Sequence, residues 1–166
     1  DTLNLNLSRS EFLGSYIVNA GDGDDLIYSA KLNSSDQINL GAGDDKIYMM
    51  VGSMNSPIVG TLNGGSGNDT IVWAESTVSN GQEILLNFGG ITGFENLSGS
   101  HSNDILRGDS GSNIIEGNNG SDTIYGGGGN DYLKRERVCA VRLWDFSDTY
   151  APKCTTDVTR NKNVFV

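Results

Sequence analysis

A nine-residue repeat constrains the fold of this chain more than any other feature of its sequence. Five consecutive copies fill residues 90–134 in one register: the first residue is Gly, the sixth is Asp, Asn or Glu, and the eighth is Ile or Leu. The copies are 90–98 GITGFENLS, 99–107 GSHSNDILR, 108–116 GDSGSNIIE, 117–125 GNNGSDTIY and 126–134 GGGGNDYLK. Tandem repeats of this kind indicate a solenoid, because each copy forms one unit that stacks on its neighbours.

The same nonapeptide recurs upstream at wider spacing. Three strong copies read 20–28 AGDGDDLIY, 40–48 LGAGDDKIY and 64–72 GGSGNDTIV. Nine residues before each strong copy lies a weaker one, which keeps the apolar eighth residue as Val18, Ile38 or Leu62 and follows it with Asn. The chain is therefore interpreted as coils of two half-turns, one strong and one degenerate and longer.

Each half-turn combines a glycine-rich turn with a very short strand. Positions one to five require the positive φ angles and close backbone approach that Gly tolerates best. Positions seven to nine alternate outward, inward and outward, which places one apolar side chain inside. The repeat thus predicts an all-β fold with two parallel sheets around a thin apolar seam, formed by Val18, Ile27, Ile38, Ile47, Leu62, Ile71, Phe88, Leu97, Leu106, Ile115, Ile124 and Leu133.

The acidic sixth positions indicate what stabilises so thin a core. In stacked coils these carboxylates would lie about 4.8 Å apart in rows and would repel each other without a cation. Oxygen ligands without thiolate or imidazole favour Ca²⁺ over zinc or copper. The net charge of −10 also makes nucleic acid an improbable partner, since phosphate binding needs a basic face.

The nonapeptide resembles the GGxGxDxUx calcium-binding repeat of RTX, or hemolysin-type, proteins. GGSGNDTIV and GGGGNDYLK match it in every defined position, and the similarity covers roughly 17–134. The resemblance implies a right-handed parallel β-roll that holds several Ca²⁺ ions between same-edge turns two repeats apart. It pairs Asp104 with Asp122 on one edge. On the other it pairs Asp25 with Asp45, Asp45 with Asp69, and Asn113 with Asp131.

The resemblance also implies which backbone carbonyls join those side chains as ligands. They belong to turn residues at the first and third positions: Ala20, Asp22, Leu40, Ala42, Gly64, Ser66, Gly99, Gly117, Asn119, Gly126 and Gly128. Several copies depart from the family pattern, with Asn113 and Glu95 in place of Asp, Leu40 and Ala20 in place of the first Gly, and Ser102 in place of the fourth. The Asn113/Asp131 site is therefore expected to be weak or partly occupied.

Other interpretations of these residues fit less well. A disordered acidic linker would not carry Ile or Leu at a period of nine. The segment 22–25 lacks EF-hand spacing and its bidentate Glu. Segment 108–111, GDSG, resembles a serine-protease nucleophile segment but lies in frame within a nonapeptide, and the chain contains one His, His101. Neither HExxH nor GxSxG occurs, so no enzyme is expected.

The domain organisation follows the repeat. Residues 1–134 are predicted to form the roll, regular over 90–134 and irregular over 1–89, with 73–89 expected as a protruding loop. Residues 135–166 contain no Gly and hold Cys139 and Cys154, so they are interpreted either as a cap or as an unrelated, poorly ordered tail. No membrane span or signal peptide is found, and the start at Asp1 in mid-pattern suggests a module of a larger protein.

These patterns predict a non-catalytic, extracellular calcium-binding module that folds when it meets Ca²⁺ after export. Export by a type I route is implied by the resemblance. Two alternatives remain open: an adhesive segment of a large surface protein, and an accessory module of a secreted hydrolase or polysaccharide-modifying enzyme. Outward-facing Tyr28 and Tyr48 are candidates for a glycan or cell-surface contact, although cross-strand stacking is their simpler role.

Overall fold

The computed structural model of the chain describes residues 3–7, 14–29, 35–50, 60–74, 83–86 and 89–134. These residues form fourteen β-strands and no helix. The strands are β1 (Asn4–Leu7), β2 (Ile17–Asp22), β3 (Leu26–Ser29), β4 (Gln37–Ala42), β5 (Lys46–Met50), β6 (Thr61–Ser66), β7 (Thr70–Ala74), β8 (Glu83–Leu85), β9 (Ile91–Thr92), β10 (Asn96–Ser98), β11 (Ile105–Arg107), β12 (Ile114–Glu116), β13 (Thr123–Tyr125) and β14 (Tyr132–Lys134).

All described strand pairs are parallel, and the chain returns to the long sheet on alternate strands except between β7 and β10, where both β8 and β9 intervene. The long sheet has seven strands in the order β1-β3-β5-β7-β10-β12-β14. The intervening strands form a four-stranded sheet, β2-β4-β6-β9, and a three-stranded sheet, β13-β11-β8. This alternation defines a parallel β-roll, as the repeat predicted.

The apolar seam is confirmed by strand register and burial. In the long sheet, eighth-position residues pair from coil to coil, including Ile27 with Ile47 and Ile47 with Ile71. Every predicted seam residue among the described ones is buried except Val18, which is partly buried against the core. Phe88 lies outside the described residues. The predicted seam thus forms the centre of the core, and Leu40 and Met49 add further buried side chains to it.

The copy at 90–98 departs from the predicted turn-and-strand arrangement. Its residues Ile91 and Thr92 form β9, which pairs with Leu62 and Asn63 of β6. Only Gly93–Glu95 remains as a turn before β10, and Phe94 is buried within it. The apolar side chain at Ile91 explains the difference, because a residue that packs in the core places its segment in a sheet.

The predicted protruding loop at 73–89 is wrong for the part that the structure describes. Trp73 belongs to β7 and is buried, while 83–85 form β8 beside β11. Ile84 and Leu86 face the core. This coil therefore contributes additional buried apolar surface instead of simply looping outward.

Close backbone stacking explains why some turn positions admit only glycine. Gly41 and Gly65 have φ angles of +117° and +113°, a region that side chains disfavour. A Cβ atom on Gly65 would also collide with the carbonyl oxygen of Gly41 in the preceding coil. The glycine-rich turns therefore allow successive coils to approach each other.

The predicted tail 135–166, with Cys139 and Cys154, lies outside the described residues. In the part of the chain that is described, no helix long and apolar enough to cross a membrane is found.

Candidate metal centre

In one of the two half-turns of each coil, the sixth residue lies immediately before a strand of the long sheet, at one edge of the roll. Because these strands pair in register, their preceding residues stack from coil to coil. We call this set the sixth-position row; it consists of Asp25, Asp45, Asp69, Glu95, Asn113 and Asp131. The row brings into one line the residues Asp25, Asp45 and Asp69 and the pair Asn113/Asp131, which the resemblance implied as separate pairs.

Hydrogen bonds connect neighbouring members of the row. The backbone N–H of Asp25 donates to Asp45 Oδ1 at 2.7 Å, and the N–H of Asp45 donates to Asp69 Oδ1 at 2.9 Å. The row continues where the Asp69 N–H donates to Glu95 Oε2 at 2.9 Å. Each side chain thus uses one oxygen to hold the turn before it.

The remaining pairs implied by the resemblance are also adjacent. Asn113 N–H donates to Asp131 Oδ1 at 3.0 Å, and on the opposite edge Asp104 N–H donates to Asp122 Oδ1 at 2.9 Å. On that edge Asp104 Oδ2 also accepts the N–H and hydroxyl of Ser100, at 2.7 and 2.9 Å.

The second carboxylate oxygen distinguishes three members of the row. Oδ2 of Asp25, Asp45 and Asp69 is buried, with no hydrogen-bond partner among the described residues. A buried charged oxygen without a partner is strongly unfavourable. A cation is the group that would compensate it best, since three such oxygens lie in one row.

The fifth position forms a second ladder of opposite direction. Asp24 Oδ1 accepts the N–H of Asp44, and Asp44 Oδ1 accepts the N–H of Asn68, both at 2.9 Å. These side chains are exposed. Their hydrogen bonds explain why Asp or Asn precedes the sixth-position Asp, and they assign the fifth position a structural role.

First-position glycines let adjacent turns approach each other closely beside the sixth-position carboxylates. A Cβ atom on Gly64 would lie 2.7 Å from Asp69 Oδ2 and would also collide with the carbonyl oxygen of Gly93 in the next turn. A Cβ atom on Gly99 would lie 2.9 Å from the Gly117 carbonyl oxygen and 3.0 Å from Asp104 Oδ2.

In both places a carboxylate oxygen and a carbonyl oxygen from adjacent turns come close together beside a glycine that has no side chain. Such a mixed set of hard oxygens suits Ca²⁺. Within the described residues no three His, Cys, Asp or Glu side chains group together, so carbonyl ligands would be essential.

Electrostatics within the row also favours a positive charge. The pKa of Asp69 is raised to about 6, chiefly by burial and then by the neighbouring carboxylates of Asp45, Glu95 and Asp44. The pKa of Asp45 is raised as well, again chiefly by burial and then by nearby acidic groups. Burial and like charge both disfavour the ionised carboxylates of Asp45 and Asp69, and a bound cation would offset this cost.

The predicted carbonyl ligands occupy two kinds of position. Six lie within the ends of β2, β4 and β6, where the strands are in register: Ala20, Asp22, Leu40, Ala42, Gly64 and Ser66. The others lie in turns outside strands: Gly99, Gly117, Asn119, Gly126 and Gly128. The side chain of Leu40 is buried in the core, which explains how a non-glycine residue is accommodated there.

Two acidic residues of the turns were missing from the predicted sites. Glu95 belongs to the sixth-position row, and Asp36 is buried and accepts the N–H of Tyr16 at 2.8 Å. Both occupy the sixth position in the sequence register, so the same periodicity identifies them.

The fold and these turns define a parallel β-roll whose coils are joined by stacked carboxylates. The family described as the RTX calcium-binding nonapeptide repeat matches four copies, at residues 32–48, 61–72 and 97–133. The matched repeats are therefore RTX repeats, which bind several Ca²⁺ ions across the repeats. The strong copy at 20–28 lies outside these matches, and so do all but the last two residues of the irregular copy at 90–98. Comparisons with curated proteins and with solved structures gave no match.

Proposed function

We propose that this chain is a non-catalytic folding module of a secreted bacterial protein, which forms its roll when it meets Ca²⁺ outside the cell. The observation that carries the proposal is the buried row of Asp25, Asp45 and Asp69, each with one carboxylate oxygen lacking a hydrogen-bond partner among the described residues. In this proposal Ca²⁺ is bound by the side chains of the sixth-position row, by the Asp104/Asp122 pair, and by the backbone carbonyls at the first and third positions of the turns.

The physical basis is the linkage of metal binding to folding. Without a cation, the folded state brings like charges together and removes them from water, whereas the unfolded chain keeps them solvated and apart. Binding to the folded state alone adds its free energy to the stability of the roll. At low cytosolic Ca²⁺ the chain stays extended and able to cross an export channel. Extracellular Ca²⁺ then drives folding.

Calcium titration of the chelator-treated chain tests this proposal. Calorimetry measures the number of bound ions, and far-ultraviolet circular dichroism follows the change from coil to β-structure on the same sample. We expect several ions and a cooperative gain of β-signal at millimolar Ca²⁺ or below, with Mg²⁺ as the matched control cation. A chain already folded in excess chelator would contradict the switch, even if ions still bind.

A second candidate function is adhesion, favoured by one surface feature. The rings of Tyr28 and Tyr48 stack with centroids 4.9 Å apart on the outer face of the long sheet, and Tyr28 is exposed. Stacked aromatic rings can present a flat apolar face to a sugar ring. Glycan-array binding by the Ca²⁺-loaded chain, lost in Tyr28→Ala but retained in Tyr132→Ala, would support adhesion. If the chain binds no glycan on the array, adhesion is contradicted and the calcium-dependent folding module is the remaining candidate function.

A further inference from the structure

One junction of the sixth-position row differs from its other described junctions. Elsewhere in the row, the N–H of one sixth residue donates to a side-chain oxygen of the next, as Asp45 does to Asp69 at 2.9 Å. Between Glu95 and Asn113 the direction is reversed, because Asn113 Nδ2 donates to the Glu95 carbonyl oxygen at 3.1 Å. The Glu95 N–H points instead to the Asp69 carbonyl oxygen, at 3.3 Å.

Two contacts determine the orientation of the Asn113 amide. Its Oδ1 accepts the N–H of Asp109 at 3.0 Å while its Nδ2 faces the Glu95 carbonyl. Rotating the amide by half a turn would place oxygen against oxygen at Glu95 and N–H against N–H at Asp109. Because Asn113 is buried, water cannot compensate either mismatch. The NH₂ group therefore points towards the turn of Glu95.

We propose that the Asn113 amide replaces a calcium ion at this junction, so that the row of ions is interrupted between the turns of Glu95 and Asn113. A cation there would face the amide hydrogens, which carry partial positive charge, and would find one carboxylate fewer than between Asp45 and Asp69. The amide itself links the two turns by a hydrogen bond. The inference rests on the proposed ion sites at the other junctions of the row.

The interruption divides the row into two blocks. One block spans the turns from Asp25 to Glu95, and the other begins at Asn113. The hydrogen bond between the Asn113 amide and the Glu95 carbonyl joins the two blocks without a metal. The two blocks therefore share no ion, and calcium binding in one is not linked to calcium binding in the other through a common site.

Ion positions in crystals of the full chain test the inference directly. Crystals are grown with Ca²⁺ and soaked in Tb³⁺, whose anomalous signal locates each site. We expect peaks between the turns of Asp25, Asp45 and Asp69 and none between those of Glu95 and Asn113. A peak at that junction overturns the inference while supporting the calcium sites. A map without peaks along the whole row overturns both, so the two failures are distinguishable.

A charge-matched pair of variants gives an independent reading in solution. Asn113→Asp removes the NH₂ donor, and Asn130→Asp adds the same charge at an exposed fifth position of a neighbouring turn. Native mass spectrometry in Ca²⁺ should count one additional ion for Asn113→Asp and none for Asn130→Asp, and the new anomalous peak should lie on the Glu95 side of residue 113. An unchanged count for Asn113→Asp, or a new ion on the Asp131 side, would overturn the inference.

Discussion

The backbone N–H of Asp45 donates to Oδ1 of Asp69 at 2.9 Å, while Oδ2 of the same carboxylate is buried without a hydrogen-bond partner among the described residues. One side chain thus performs two tasks. Its first oxygen joins two coils through a hydrogen bond, and its second is available to a cation. Substitutions that keep the first task and remove the charge can separate the two.

Asp69→Asn is expected to weaken calcium binding more than a substitution that removes an exposed carboxylate. The amide can still accept the Asp45 N–H, but the row loses its most buried carboxylate and a negatively charged ligand. Loss of about 1.4 kcal/mol of binding free energy raises the calcium midpoint roughly tenfold. Circular dichroism during calcium titration measures that midpoint. The control Asp24→Asn removes an exposed charge and keeps the oxygen that accepts the Asp44 N–H, so its midpoint should stay near wild type.

The stability of the metal-free roll should change with pH in the direction opposite to that expected when a salt-bridged carboxylate stabilises the folded state. The pKa of Asp69 is raised to about 6, chiefly by burial, so protonated Asp69 favours the folded state below its ordinary pKa. That stabilisation is lost as the pH rises through the folded-state pKa. In chelator, the β-signal should therefore be greater at acidic than at neutral pH.

Calcium reverses this dependence, because the ion competes with the proton for the same oxygens. The calcium midpoint should therefore be higher at acidic than at neutral pH. Asp69→Asn should flatten both trends in parallel titrations by circular dichroism. Trends of wild-type slope in that variant would assign the pH dependence to other carboxylates.

Gly64→Ala tests whether calcium binding needs the close approach of two turns, and it changes no charge. Its added methyl group would lie 2.7 Å from Asp69 Oδ2 and would collide with the Gly93 carbonyl oxygen. The variant should bind at least one ion fewer by calorimetry, since the converging oxygens are separated. Gly111→Ala is the control, because its added methyl group would meet only one side-chain atom, Asp109 Oδ1, at 3.2 Å, and that side chain needs to move by only a few tenths of an ångström. An equal ion count in both variants would contradict a site beside Gly64.

The periodicity predicted most of the fold because each part of the repeat has a separate structural role. The aliphatic eighth residue, the sixth-position oxygen and the turn glycine are each visible in the sequence. Register follows from them, since coils such as Asp25–Asp45 and Asp104–Asp122 align once the apolar residues pair. Binding of ions by the individual carbonyls remains a prediction.

Strand β9 was not predicted within 90–98, because only one apolar residue of this copy was assigned to the core. Gly90 and Leu97 fit a nonapeptide, but Ile91 supplies a second apolar residue that pairs with Leu62. Burial of Ile91 and Phe94 outweighs the turn pattern. The orientation of the Asn113 amide could not be predicted either, because it depends on Asp109 in its own turn together with Glu95 in the preceding coil.

Phe94 is the side chain that most clearly distinguishes this coil, and its removal should be severe. It is fully buried in a three-residue turn, where other coils place glycine and polar residues. Phe94→Ala should lower the free energy of unfolding by about 3–5 kcal/mol, because the surroundings can only partly fill the cavity. Urea denaturation at saturating Ca²⁺ measures this loss, so that ion affinity does not limit folding. Ile105→Ala is the control, since Ile105 is 38% exposed. Equal losses in the two variants would mean that Phe94 does not support the short turn that positions Glu95 in the row.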